Sequence, residues 1–234
     1  MPLPPDAHEM PTHVLEAWSS AIASERQARL GVQNGYEIGR DLHEYLAELC
    51  GLDAFVEYVR NSSCPHILDI GAGEKALALS QLKAGPLGRG LTYEATGLML
   101  PRANEAPKDP ILYRHAGAES LHGVRKASVG GAIAVYSLMY SSDAAMTGTA
   151  INRVLMPGGV LKAVFPLDFG HDAGVTAEEL GDALTALGYD VAVKGRFTDI
   201  VTAIKPGAPP RVTAEVLYEQ DMQHWIAARE SPVA

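Results

Sequence analysis

Two acids and two glycines concentrate the chemical possibilities of this 234-residue chain. The short apolar run His66-Ile67-Leu68-Asp69-Ile70 ends in Gly71-Ala72-Gly73, and a second run, Leu91-Thr92-Tyr93-Glu94, ends in another acid. Glycines at a strand-to-helix turn let a ligand approach the backbone closely, and a helix beginning at Glu74 would aim free amide groups at it. The hexapeptide Gly71-Ala72-Gly73-Glu74-Lys75-Ala76 also fits the G-x-G-x-x-A form of a dinucleotide fingerprint, which keeps an NAD(P)-dependent oxidoreductase as an alternative. Asp69 argues against it, because a carboxylate just ahead of the turn repels a pyrophosphate and attracts an ammonium. Glu94, at the end of its strand, is placed to accept hydrogen bonds from a ribose diol. The two acids and the glycine turn together describe a pocket for a nucleoside carrying a positively charged amino-acid tail.

The elements that must position these residues follow from periodicity. Residues 1–11 carry four prolines and read as a loose arm. Thr12 caps a predicted helix to about Leu30, a second helix runs from Tyr36 to about Cys50, and a third from Asp53 to Arg60. Residues 12–62 are thus a helical cap without strand signals. From residue 63 to 206 the pattern alternates. Strands are predicted at His66–Ile70, Leu91–Glu94, Ile111–Tyr113, Gly131–Tyr136, Val160–Phe165, Asp190–Lys194 and Thr198–Ile204. Helices are predicted from Glu74 to about Lys83, near Leu98–Ala106, from Ser142 to Leu155 with Gly158-Gly159 ending it, and over Ala177–Leu187 behind a Thr176 cap. Such alternation means an α/β fold, a Rossmann-like doubly wound sheet of about seven strands. The last two strands are too close for a helix between them, so the final strand is expected to be antiparallel. Residues 207–234 form a helical tail, with Tyr218, Met222, Trp225 and Ile226 on one stripe. That stripe is expected to dock on its own domain or to make a homodimer through the C-terminal helix.

Composition bounds the partners. A net charge of −9, with ten acids against four bases in residues 1–60, argues against nucleic acid and favours a cationic or neutral small-molecule substrate. No apolar run approaches the ~20 residues of a membrane span, and the start of the chain has neither a basic nor an apolar stretch of the secretory kind. Cys50 and Cys64 are expected to be reduced thiols of a cytoplasmic protein, and no metal-ligand set is apparent.

The run ILDIGAGEKALAL resembles motif I of the class I S-adenosylmethionine-dependent methyltransferases, and INRVLMPGGVLKAV resembles their "LKPGG" element leading into the fifth strand. Between them HAGAESL resembles the loop flanking the adenine, and VYSLMYSSD the segment after the fourth strand. The resemblance covers about residues 64–205 in the right order. It implies S-adenosylmethionine as cofactor, with Asp69, Gly71 and Gly73 along its methionine part and Glu94 on its ribose. Ala118 and Glu119 would lie by the adenine, and Ser137 and Leu138 beneath the cofactor. The sequence departs from the family at Lys75, where a third motif I glycine is usual, and at Gly117, where an acid is common. Those departures keep a non-catalytic, methyltransferase-like binding protein as a further alternative.

Methyl transfer from a sulfonium needs alignment and exclusion of water more than acid–base chemistry. Where the acceptor carries a proton, the candidate catalytic groups are Tyr140, after the fourth strand, and His171, after the fifth. Asp168 in that same loop, and Tyr36 at the start of a cap helix, are candidate substrate contacts.

Overall fold

The computed structural model describes residues 41–73, 76–97, 111–166, 174–195, 198–207 and 212–230. Tyr36, Asp168 and His171 lie outside these residues, as do the arm, the Thr12 helix, Lys75 and the Leu98–Ala106 segment.

Among the described residues, six helices surround one sheet. In chain order they are α1 (Leu42–Glu48), α2 (Asp53–Arg60), β1 (His66–Ile70), α3 (Leu77–Ala84), β2 (Thr92–Gly97), β3 (Leu112–His115), β4 (Val129–Val135), α4 (Ala144–Val154), β5 (Leu155–Pro166), α5 (Ala177–Ala186), β6 (Asp190–Lys194), β7 (Thr198–Ile204) and α6 (Ala214–Glu230). The strand order is β3-β2-β1-β4-β5-β7-β6. Strands β1 to β5 pair in parallel, and β7 is antiparallel to both β5 and β6, as the short β6–β7 link requires.

Two apolar layers cover the sheet. One gathers side chains of α1, α2, α3 and α6, and the other those of α4, α5 and the loop after β3. All seven residues of β4 are buried, as expected for a central parallel strand with helices on both faces. Gly131 sets the spacing there: a Cβ on it would collide with Val59 and lie 2.7 Å from the Phe55 ring, so glycine lets α2 press onto the sheet. Thr176 caps α5 as expected, and with Glu179 it forms a reciprocal capping box.

Several boundaries differ from the sequence reading. Asp41, in extended conformation, is the N-cap of α1 and closes a capping box with Glu44, so that helix begins at Leu42 rather than at Tyr36. α3 starts at Leu77, behind a left-handed Ala76, rather than at Glu74. β2 runs three residues beyond Glu94, because Ala95, Thr96 and Gly97 continue the pairing with β1 and β3. α4 stops at Val154, and Gly158-Gly159 fall inside β5 instead of ending the helix. The C-terminal stripe is used internally: Ala214, Leu217 and Tyr218 are buried, Met222 packs against the same core, and Ile226 is left 46% exposed.

Candidate functional site

The site is built where β1 ends beside β2 on one side and β4 on the other. The strand order reverses there, and in open sheets of this kind ligands bind at the carboxyl ends of the strands at such a point. Gly71 and Gly73 have φ of 78° and 69°, a region costly for side-chain-bearing residues. The amides of Gly71 and Ala72 both donate to the Thr96 carbonyl, at 2.9 and 3.0 Å, so the turn folds back over the end of β2. On the β4 side, Ser137 Oγ donates to the Ile70 carbonyl, and a Cβ on Gly71 would overlap Ser137 Cβ. Asp69, Gly71 and Ser137 are thus held together. Leu138 follows at once, 1% exposed, with its side chain in the α4–α5 core. Tyr140 closes the 3₁₀ turn Leu138–Tyr140, half-buried against that core, and its amide donates to Ser137 O at 3.2 Å.

Asp69 is wholly buried. Its Oδ2 accepts from the Tyr45 hydroxyl at 2.9 Å, and its Oδ1 has no hydrogen-bond partner among the described residues. Burial pushes its carboxyl up to about 7, against a smaller opposing effect of the Tyr45 hydrogen bond. A buried carboxylate oxygen without a donor is costly, so the group is poised to receive one. Tyr45 reaches it from α1, whose neighbouring turn carries Glu48, the acceptor of the Tyr136 hydroxyl. At its start α1 is tied to α3, since the Leu42 amide donates to Gln81 Oε1 at 2.6 Å. One cap helix therefore lies across the ends of β1 and β4.

Glu94 is placed differently from expectation. It is the third of six residues in β2, in register with Leu68, whereas Asp69 is in register with Ala95. Side chains in register share a face and neighbours along a strand alternate, so the two acids point to opposite faces of the sheet. The expectation of an acid at the tip of β2 is corrected accordingly. The Glu94 carboxylate accepts from Arg114 Nε and lies 3.5 Å from His66 Nε2. Burial opposes its ionisation, but the hydrogen bonds from His66 and Arg114 outweigh that and hold its carboxyl below the ordinary value. Ala118 and Glu119 form the turn after β3. Glu119 Oε1 accepts from the Ser142 amide at 2.8 Å and from its hydroxyl at 3.1 Å, which ties this turn to the approach to α4 rather than to the glycine turn. Arg153 of α4 anchors the same loop by donating to the carbonyls of Ser120, Leu121 and Val124.

Residues 68–163, from within β1 to within β5, match the family model described as "Methyltransferase domain". That stretch is the part of the chain similar to methyltransferase domains, and it spans the glycine turn and the strands that flank it. No curated protein matches the sequence. Among solved structures, a methyltransferase from Aquifex aeolicus described as SAM-dependent is 17% identical, with a TM-score of 0.50 over 78% of this chain and 97% of that one. Human N-acetylserotonin methyltransferase, solved in complex with SAM, is 15% identical, with a TM-score of 0.51 over 86% of this chain and 69% of that one. The [4+2]-cyclase SpnF is 15% identical, with a TM-score of 0.52 over 83% and 97%. At such identities the structural likenesses speak for the fold. S-adenosylmethionine is the donor that the sequence resemblance implies. The residues present fit it: Oδ1 of Asp69 is a buried acceptor without a donor among the described residues, beside a turn in which a Cβ on Gly71 would overlap Ser137.

Tyr45 and Glu48 are additions to the expected site residues, both within the span where the sequence predicts only a cap helix. A signal did exist. A tyrosine on a buried stripe needs a partner for its hydroxyl, and a buried strand-end aspartate needs a donor.

Proposed function

We propose that the chain is an S-adenosylmethionine-dependent methyltransferase acting on an oxygen, nitrogen or carbon of a small molecule, with the donor seated on the Asp69–Gly73 turn. The observation that carries the reading is the half-satisfied, buried Asp69 carboxylate at the carboxyl end of β1. Asp69 would take the donor's ammonium group, and Gly71 and Gly73 would let the backbone approach it. Ser137 and Leu138 would form the floor, with Ala118 and Glu119 on the adenine side. Glu94 is not among these contacts, because it lies mid-strand on the other face of the sheet and its carboxylate is engaged by Arg114 and His66.

S-adenosylmethionine supplies a methyl group already activated on a sulfonium. What remains for the chain is to orient, to exclude water and, for a protonated acceptor, to take a proton. Exclusion of water falls to α1, which lies over the strand ends through Tyr45 and Glu48. Tyr140 and His171 are the proposed proton acceptors, and Asp168 and Tyr36 the proposed substrate contacts. The acidic charge of the chain supports a small neutral or cationic acceptor over a polyanion. Among the described residues no helix is long and apolar enough to cross a membrane. A cytoplasmic location and a homodimer through α6 belong to the same proposal.

Calorimetry with S-adenosylhomocysteine and with NADH tests the site, the first expected to bind and the second not. Transfer of labelled methyl from S-adenosylmethionine into fractionated small-molecule extracts tests the acceptor class. Label appearing only in protein or nucleic acid would overturn it.

A further inference from the structure

We propose that Tyr45 is a positioning residue of the donor site: its hydroxyl fixes the Asp69 carboxylate with Oδ1 left for the ligand and thereby couples the seating of α1 to donor binding. The inference rests on the reading of Asp69 as a donor contact and names a residue outside motif I as part of that contact.

The geometry is specific. Tyr45 is 3% exposed, and its ring is packed in the core shared by α1, α2, α3 and α6. Its hydroxyl meets Asp69 Oδ2 at 2.9 Å from 24 residues away in sequence. A carboxylate held through one oxygen has its second oxygen in a set direction and loses less freedom when a ligand donor arrives. The hydrogen bond also favours the ionised carboxylate, which an ammonium partner requires.

The charged surroundings of Asp69 are sparse. Its cross-strand neighbours are Ala95 on β2 and Ile133 on β4. On β5, Lys162 is in register with Ile133, two strands away, and is engaged by Asp221 of α6. On α1, Glu48 is bound to Tyr136, and Glu44 closes its capping box with Asp41. His43 sits beside Trp225 of α6, and Lys83 lies in the last turn of α3. Tyr45 is the donor that reaches the Asp69 carboxylate among the described residues.

The test is the affinity for S-adenosylhomocysteine, measured by calorimetry from pH 6 to 9. In the unaltered protein, affinity should rise with pH as Asp69 ionises and then level off. Tyr45→Phe keeps the packed ring and removes the donor. Its profile should shift to higher pH by about one unit, with roughly tenfold weaker binding near pH 6.5 and recovery towards the original affinity at pH 9. Loss by the same factor at every pH, or an unshifted profile, would overturn the proposal. Uniform 3-fluorotyrosine labelling strengthens the phenol as a donor without removing it and should move the profile the other way, and no movement counts equally against the idea. Asp69→Asn separates the two readings. Binding unchanged by Asp69→Asn sinks the donor-contact reading itself, whereas binding lost there but unshifted in Tyr45→Phe sinks only the role of Tyr45.

Discussion

Asp69 and Asp221 are both fully buried, and they are built on opposite plans. Asp221 of α6 has both oxygens engaged. Its Oδ1 accepts from the amides of Ala54 and Phe55 at 2.7 and 3.2 Å, and its Oδ2 meets Lys162 Nζ at 2.5 Å. Lys162 also donates to the Gly51 carbonyl at 2.9 Å, and burial lowers its amine from the ordinary value against the pull of Asp221. This closed arrangement caps α2, holds the α1–α2 turn and ties the C-terminal helix to the sheet. Among the described residues, Asp69 has one neutral donor and one oxygen without a partner. The two groups act on the same face of the sheet, since Asp69 and Lys162 are both in register with Ile133. A completed buried network holds structure, and an incomplete one leaves a place for a ligand.

The largest effect should come from breaking the complete network. Asp221→Ala leaves a buried ammonium and two amides without their acceptor and should cost about 3–5 kcal/mol in denaturant unfolding. Adding Lys162→Met should restore part of that loss, because the uncompensated charge goes while the cap on α2 stays missing. A double variant no more stable than the single one would mean that the charge was not the problem.

The incomplete network should respond the other way. Asp69→Asn is expected to lose about 1.5–3 kcal/mol of S-adenosylhomocysteine affinity while stabilising the unliganded protein. The sign follows from linkage. The carboxyl is pushed up from 3.8 to about 7, so the unliganded fold is favoured below the lower value and pays progressively for ionisation as pH rises through the higher one. The stabilisation by Asn should therefore be larger at pH 8 than at pH 5, by about 2 kcal/mol. Melting curves at the two pH values check this, and a gain equal at both would contradict the shift.

Gly71→Ala should cost about 1–3 kcal/mol of stability, since φ is 78° and the added carbon meets Ser137. Its affinity for S-adenosylhomocysteine should fall as well, and loss of stability without loss of binding would remove the turn from the site. The smallest effect is expected at Glu94. Glu94→Gln should leave S-adenosylhomocysteine affinity unchanged, because the carboxylate faces away from Asp69 and is engaged by Arg114 and His66; a measurable loss would return Glu94 to the site.

Much of this was legible in residue order. Alternation of short apolar runs with helical stripes implied the parallel sheet, the tight β6–β7 link implied the antiparallel strand, and Thr176 announced its helix. Asp69 and the Gly71 turn were legible because a strand end, a glycine turn and a helix form a local pattern. The position of Glu94 was not, because the end of β2 depends on pairing with both neighbours, and a shift of register decides the face on which a side chain emerges. The role of Tyr45 was not legible either, since helical periodicity says which side of a helix is buried but not what a tyrosine hydroxyl on it will meet.

By itself the chain order determined which segments become strands and helices and which turn must be glycine, because these follow from contacts within a few residues. Only the folded packing decided which buried acid is complete. Lys162 and Asp221 are 59 positions apart and Tyr45 and Asp69 are 24 apart. No short-range preference brings such groups together. Sheet register and helix docking do, and burial then makes each satisfied or missing hydrogen bond matter.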